Sequence, residues 1–292
     1  MNRMLPALGV ILILSLLMPK ITLARETPAN AIDSPSSPRD GVIANLLQTS
    51  DSLFAIYPYE ANYILFTETS DLNREQISPE WAGGAKEQEI QFQISVAYPI
   101  SRGIAGDRSV LALSYTQRSW WQLFSQDVSA PFRETNYEPQ LFLAWATDRP
   151  LAGWSLREIE IGYNHQSNGR SKSGSHGWNR GYARFMAEKG DWWVDFKPWF
   201  QIGFNEDNPD ILKYLGHYRL KIGYNRGHNR FEVTGHYNWD SGYGGVNLGW
   251  DYPLGQNVRL YAHVFNGYGE SLLDYNHDQT RVGIGFILNS TP

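Results

Sequence analysis

The most constraining feature of this chain is a two-residue alternation that persists for about ten residues at a time. Ile90, Phe92, Ile94, Val96, Tyr98 and Ile100 alternate with Gln91, Gln93, Ser95 and Ala97. Leu111, Leu113 and Tyr115 alternate with Ala112, Ser114 and Thr116, and Tyr218, Leu220, Ile222 and Tyr224 with Arg219, Lys221 and Gly223. Successive side chains of a strand point to opposite faces, so each segment has one apolar and one polar face. Strands of this length exceed the usual five or six residues of a soluble sheet.

The pattern recurs at 59–66, 89–100, 109–119, 137–147, 154–167, 177–188, 191–202, 217–226, 229–240, 244–253, 256–268 and 280–289. The number is even, and long connections alternate with short ones at Asp148–Gly153, Lys189–Gly190, Gly227–His228 and Leu254–Gln256. With 11 Trp and 17 Tyr available for interfacial girdles, this predicts an all-β, twelve-stranded antiparallel transmembrane β-barrel. Closure removes the sheet edges and lipid covers the apolar face. A soluble sandwich or propeller is the rival, and strand length argues against it.

The N-terminus agrees. Arg3, an apolar run from Leu5 to Leu17 and the small-residue site Thr22-Leu23-Ala24 form a secretory signal, predicted to be cleaved after Ala24. Residues 25–52 are expected to form an N-terminal periplasmic segment and 53–292 the barrel. The chain has no cysteine, so an exported protein of this size must be held by something other than disulfides. A net charge of -5, spread evenly, excludes a phosphate-tracking surface for nucleic acid.

Two places break the alternation. In 154–167 the lipid-facing parity runs Ile159, Ile161, Tyr163 and then His165 and Ser167; in 177–188 it begins with Asn179. A hairpin centred near Lys172 sets 165 opposite 179, with Cβ atoms about 5 Å apart. A serine hydroxyl is a weak nucleophile until an imidazole accepts its proton, and the imidazole works best when a third group fixes its tautomer. Ser167, His165 and Asn179 supply those three parts; polar residues at headgroup level are the plain alternative. The second break is Gln117, an amide on the outward parity of 109–119, where a hydrogen bond to a partner copy would relieve its cost in hydrocarbon. Glu158 and Glu160 share the lumen parity and are expected to pair with Arg180 and Arg184.

The segment Tyr163-Asn164-His165-Gln166-Ser167-Asn168-Gly169-Arg170-Ser171, followed by Trp178-Asn179-Arg180, resembles the active-site segment of the bacterial outer membrane phospholipase A family. Phe132 to Gln140, Asp207-Asn208-Pro209-Asp210, Tyr268-Gly269-Glu270-Ser271 and Asp274-Tyr275-Asn276 resemble it too, so the similarity covers nearly all of the mature chain. The resemblance implies a twelve-stranded barrel in the outer membrane that hydrolyses acyl esters of glycerophospholipids, needs Ca2+ and is active as a homodimer. It implies Ser167 as nucleophile, His165 as base, Asn179 as orienting residue and the Gly169 amide as oxyanion donor. Its calcium ligands correspond to Ser129, the Arg170 carbonyl, Ser175 and Asp207. Lys172 stands where the family often has an acidic residue, and Asn289-Ser290-Thr291-Pro292 lacks the terminal aromatic common in such barrels. With both termini on the short-turn side, the triad is expected to face the outer leaflet. A passive channel, with conducting lumen charges, is the rival function.

Overall fold

The computed structural model describes residues 41–47, 55–171, 174–204 and 206–288. The signal segment, most of 25–52, Lys172 and Asn289–Pro292 lie outside the described residues. Thirteen strands form one sheet: β1 (Tyr57–Pro58), β2 (Tyr63–Thr69), β3 (Gln88–Arg102), β4 (Ser109–Trp121), β5 (Phe132–Leu151), β6 (Trp154–Ser167), β7 (Gly177–Lys189), β8 (Trp192–Gln201), β9 (Tyr218–Arg226), β10 (Asn229–Asn238), β11 (Tyr243–Pro253), β12 (Val258–Gly267) and β13 (Gln279–Leu288). From β2 onward each strand pairs antiparallel with the next, and β13 pairs back onto β2, so twelve strands close a barrel. β1 is a two-residue bridge onto β3. Among the described residues no helix is long and apolar enough to cross a membrane.

The connections sort by end. Segments 103–108, 152–153, 190–191, 227–228 and 254–257 lie at one mouth with the start of β2 and the end of β13; 70–87, 122–131, 168–176, 202–217, 239–242 and 268–278 lie at the other. Parity holds as predicted: Gln91, Gln93, Ser95 and Ala97 are buried while Ile94, Tyr98 and Ile100 are exposed on the outer wall.

Most strand starts fall within two residues of the sequence expectation, and two depart further. β2 begins at Tyr63, not 59, because Tyr59 turns inward: its ring stacks on Phe142 at 5.3 Å and its hydroxyl donates to Glu160 at 2.7 Å. β5 begins at Phe132, not 137. Its first residues include Arg133, Glu134 and Asn136, whose polarity hides the strand in the sequence, and all three are buried on ion pairs and hydrogen bonds.

The lumen is filled. Near the short-turn mouth, helix α1 (Val42–Leu47) buries Val42, Ile43 and Leu46 against Ala97, Val110, Ala112, Phe142 and Ala144. Glu158 accepts the Ile43 N–H at 2.9 Å. Arg184 does meet Glu160, at 3.7 Å, but its shorter bond is to Asp195 at 2.7 Å, and Arg180 pairs with Glu138 at 3.0 Å instead of Glu158 or Glu160. At the long-loop end Arg133 bonds Glu89 and Asp274, both at 2.8 Å, and Arg281 bonds Glu89 and Glu270, both at 2.9 Å. Burial by itself would raise the Asp274 carboxyl, but Arg133 beside it outweighs that and holds it below the usual carboxylate range. The remaining central cavity is about 240 Å³ and is lined by charges that already have partners, among them Glu60, Glu138, Arg180 and Arg219. An interior packed with paired charges does not favour a passive channel.

Candidate active site

The site is built from one hairpin. β6 and β7 pair with His165 opposite Asn179 and Ser167 opposite Gly177, which is the predicted register. Residues 163, 165 and 167 share the outer face by parity, while Asn164 and Arg180 are buried on the inner one. Across the pair, the His165 Nδ1 lies 2.8 Å from the Asn179 Oδ1. An amide oxygen can only accept, so Nδ1 carries the hydrogen and Nε2 is left with its lone pair. That is the tautomer a general base needs.

Ser167 ends β6 and sits between Tyr137 of β5 and Gly177 of β7. A Cβ on Gly177 would stand 3.2 Å from the Ser167 Cβ and 3.1 Å from the Gln166 carbonyl oxygen, so the missing side chain gives the serine an open flank. Immediately after it the chain turns at Gly169, whose φ of +65° suits glycine.

The loop that follows is organised by buried Asn168. Its Oδ1 accepts the N–H groups of Arg170 (3.3 Å) and His176 (3.0 Å), its Nδ2 donates to the Gly174 carbonyl (2.8 Å), and its own N–H bonds the His176 carbonyl (3.0 Å). Gly169 is thus held between two residues whose amides are engaged. The Arg170 guanidinium is turned onto β5, with Nε 3.4 Å from Glu134 and Nη2 donating to the Arg133 carbonyl. Ser175 is half-buried, and its carbonyl accepts from His176 Nδ1.

Asp207 comes from 202–217, far along the chain, yet is anchored to the same hairpin through its neighbour: buried Asn208 accepts the Gly177 N–H at 2.9 Å. Ser129 lies on 122–131 in the left-handed region, φ +66°, followed by Ala130 at +46°, and its N–H bonds Gln126 within that loop. The structure pairs His165 with Asn179, places Ser167 two residues along the same face of β6, and sets Gly169, Arg170, Ser175 and Asp207 on the segments at that end of the hairpin. It leaves Ser129 and Gln117 in the adjoining β4–β5 sector.

Gln117 departs from expectation. The sequence suggests an amide short of partners; in the structure the Tyr115 hydroxyl donates to its Oε1 at 3.1 Å, and its Nε2 donates to Ser119 Oγ at 3.2 Å. Both partners lie two residues away on the same face, so the amide is largely satisfied within one chain. Tyr163, Asn168, Gly177 and Asn208 carry structural roles in the site that the motif does not reveal. A tyrosine two residues before His165 on the same parity was the available signal for the first.

Comparison with known proteins agrees with this geometry. The family model described as Phospholipase A1 matches residues 41–288. Phospholipase A1 of Escherichia coli K12 is 54% identical over 274 residues, covering 94% of this chain and 95% of that protein. The Klebsiella pneumoniae phospholipase A1 is 57% identical over 262 residues, 89% and 91% of the two chains. The solved structure of outer membrane phospholipase A from Escherichia coli has a TM-score of 0.85 at 56% identity, over 87% of this chain and 99% of that one. The Salmonella typhi enzyme, solved as a dimer with bound calcium, gives the same figures. With the family matched across the whole barrel and the polar hairpin in register on its outer wall, the chain belongs to the phospholipase A1 family.

Proposed function

We propose that this protein is a calcium-dependent outer-membrane phospholipase. It cleaves acyl esters of glycerophospholipids, and of their lyso forms, from the lipid-facing surface of the barrel. The observation that carries the reading is the 2.8 Å His165–Asn179 pair beside Ser167 on the outer wall. Ser167 Oγ attacks the ester carbonyl as His165 Nε2 takes its proton, and the imidazolium returns that proton to the departing alcohol. Water then attacks the acyl-serine with His165 again as base. Asn179 holds the ring without adding a charge, which suits a site beside hydrocarbon, where a carboxylate would cost far more to desolvate than an amide. The Gly169 N–H is the assigned oxyanion donor.

For calcium the donors are oxygens throughout: the Asp207 carboxylate, Ser175, the Arg170 carbonyl and Ser129. That chemistry fits a hard cation. Of these donors only Asp207 is a carboxylate, and among the described residues no group of three or more His, Cys, Asp or Glu is placed to hold a metal ion, so the set is weak within one chain. Ser129 supplied by a neighbouring protomer completes it, and calcium binding and dimerisation then assist each other. When bound, the ion supplies positive charge next to the developing oxyanion. The signal at Met1–Ala24 directs export, and the long-loop mouth, with the triad, faces the outer leaflet.

The test is fatty-acid release from mixed phospholipid–detergent micelles by the refolded protein. Activity should be lost with a chelator, return with added Ca2+ and coincide with a rise in dimer fraction. Full turnover in the presence of chelator would remove the metal from the mechanism.

A further inference from the structure

Tyr163 stands on the outer wall two residues before His165, and it is 44% exposed. As an ordinary interfacial aromatic it would point its hydroxyl toward headgroups and water. Instead the hydroxyl donates to the Asn179 Oδ1 at 2.6 Å, so that one oxygen accepts both the Tyr163 O–H and, at 2.8 Å, the His165 Nδ1–H. The register explains the reach. Directly opposite Tyr163 is Gly181, which has no side chain to meet, and Asn179 is the diagonal neighbour two residues along, within range of an aromatic side chain.

Resting on the phospholipase reading above, we propose that Tyr163 is a positioning residue that fixes which end of the Asn179 amide faces His165. A carboxamide has two unlike ends. With the oxygen toward the imidazole, His165 keeps its hydrogen on Nδ1 and its Nε2 lone pair is free for the Ser167 proton. Rotated by half a turn, the amide nitrogen faces Nδ1, which must then accept. The ring hydrogen moves to Nε2, and the base is lost. An aspartate has no such ambiguity, since its two oxygens are alike. The neutral third residue that spares the barrel a charge in lipid therefore needs a second contact to hold it one way round. Tyr163 provides it: a rotated amide would leave the phenolic hydrogen without its acceptor on a surface facing hydrocarbon, where unmade hydrogen bonds are expensive.

Dependence on the amide separates orientation from mere packing. Wild type, Tyr163→Phe, Asn179→Asp and the double variant are refolded, their strand content is checked by circular dichroism, and kcat and KM for ester hydrolysis are measured in mixed micelles. Tyr163→Phe should lower kcat about five- to tenfold, the scale of one lost hydrogen bond, with KM within about twofold. In the Asn179→Asp background the same change should cost less than about twofold, because a carboxylate presents an oxygen either way round. An equal factor in both backgrounds, or a raised KM with kcat unchanged, overturns the proposal. Histidine ¹⁵N shifts, assigned by comparison with His165→Ala, give a readout independent of turnover. A mixed His165 tautomer in Tyr163→Phe supports the role, and an unchanged Nδ1–H form overturns it. Ser167→Ala, run alongside, keeps the two readings apart. If it retains turnover, the triad itself is wrong; if it is inactive and the Tyr163 factors are equal, only the role of Tyr163 fails.

Discussion

The outer wall near β6 and β7 and the lumen at the long-loop end use polar groups in opposite ways. Outside, Tyr163, His165, Ser167 and Asn179 are half-buried or exposed, and the hydrogen bonds that Tyr163 and His165 make there both end on the neutral Asn179 amide, with no carboxylate among them. Inside, Arg133, Arg281, Glu89, Glu270 and Asp274 are all buried, and every one of these carboxylates has an arginine within 2.9 Å. The difference follows from what each side faces. A lumen can take charges because opposite charges from distant strands meet there and satisfy one another. A lipid-facing wall offers no such partners, so polar chemistry there is assembled from small neutral groups along one hairpin. In this barrel, charge marks structure and its absence marks the surface proposed to be reactive.

The largest expected break in that contrast is Ser167→Ala. Fatty-acid release should fall by at least about a thousandfold, the range seen when a nucleophile is removed from a serine triad. Thermal unfolding in detergent should be unchanged, because the hydroxyl packs against nothing in the lumen. Turnover within about tenfold of wild type would place the nucleophile elsewhere.

Arg133→Met should do the reverse. It leaves Asp274 without its arginine and Glu89 with Arg281 alone, and removing one partner of a buried pair typically costs about 3–5 kcal/mol. Denaturant unfolding of the refolded barrel should show that loss, while the specific activity of molecules that remain folded stays within about twofold. Acid attacks the same pair. The folded-state pKa of Asp274 lies below its unfolded value, so its contribution is complete above about pH 5 and is lost as pH falls through the lowered value. Arg133→Met should therefore flatten the acid limb of a stability-versus-pH curve and leave the neutral region parallel to wild type. A variant as acid-sensitive as wild type would show that another carboxylate controls that limb.

The smallest effect is expected at Gln117. With Tyr115 and Ser119 already bonded to its amide, Gln117→Ala should weaken the calcium-promoted dimer by no more than about 0.6 kcal/mol, the average for polar contacts in membranes. Sedimentation in detergent reads this directly. A loss of dimer many times larger would mean that the amide exchanges these internal bonds for contacts across the interface.

What could be read from the chain and what could not divides along the same line. The barrel, its strand parity and the grouping of His165, Ser167 and Asn179 were legible because all of them are local. Alternation assigns faces, and a single hairpin with a short register fixes 165 against 179. The partners of Gln117 were not legible for a related reason: parity shows that an amide faces out, but not that the side chains at 115 and 119 bond to it.

The sequence by itself therefore determined an all-β barrel with a neutral polar cluster on its outer wall. Only the closed tertiary structure decided that Arg133 meets Asp274, 141 residues away, that Asn208 ties the 202–217 loop to Gly177, and that Tyr59 and α1 fill the short-turn mouth where a strand and a periplasmic segment were expected. The Arg133–Asp274 contact joins residues whose separation along the chain is bridged by barrel closure, and the others depend on which loop or segment folds over which strand. A two-residue period specifies that a side chain points into the lumen, and the tilt and stagger of the closed sheet determine which side chains it meets there.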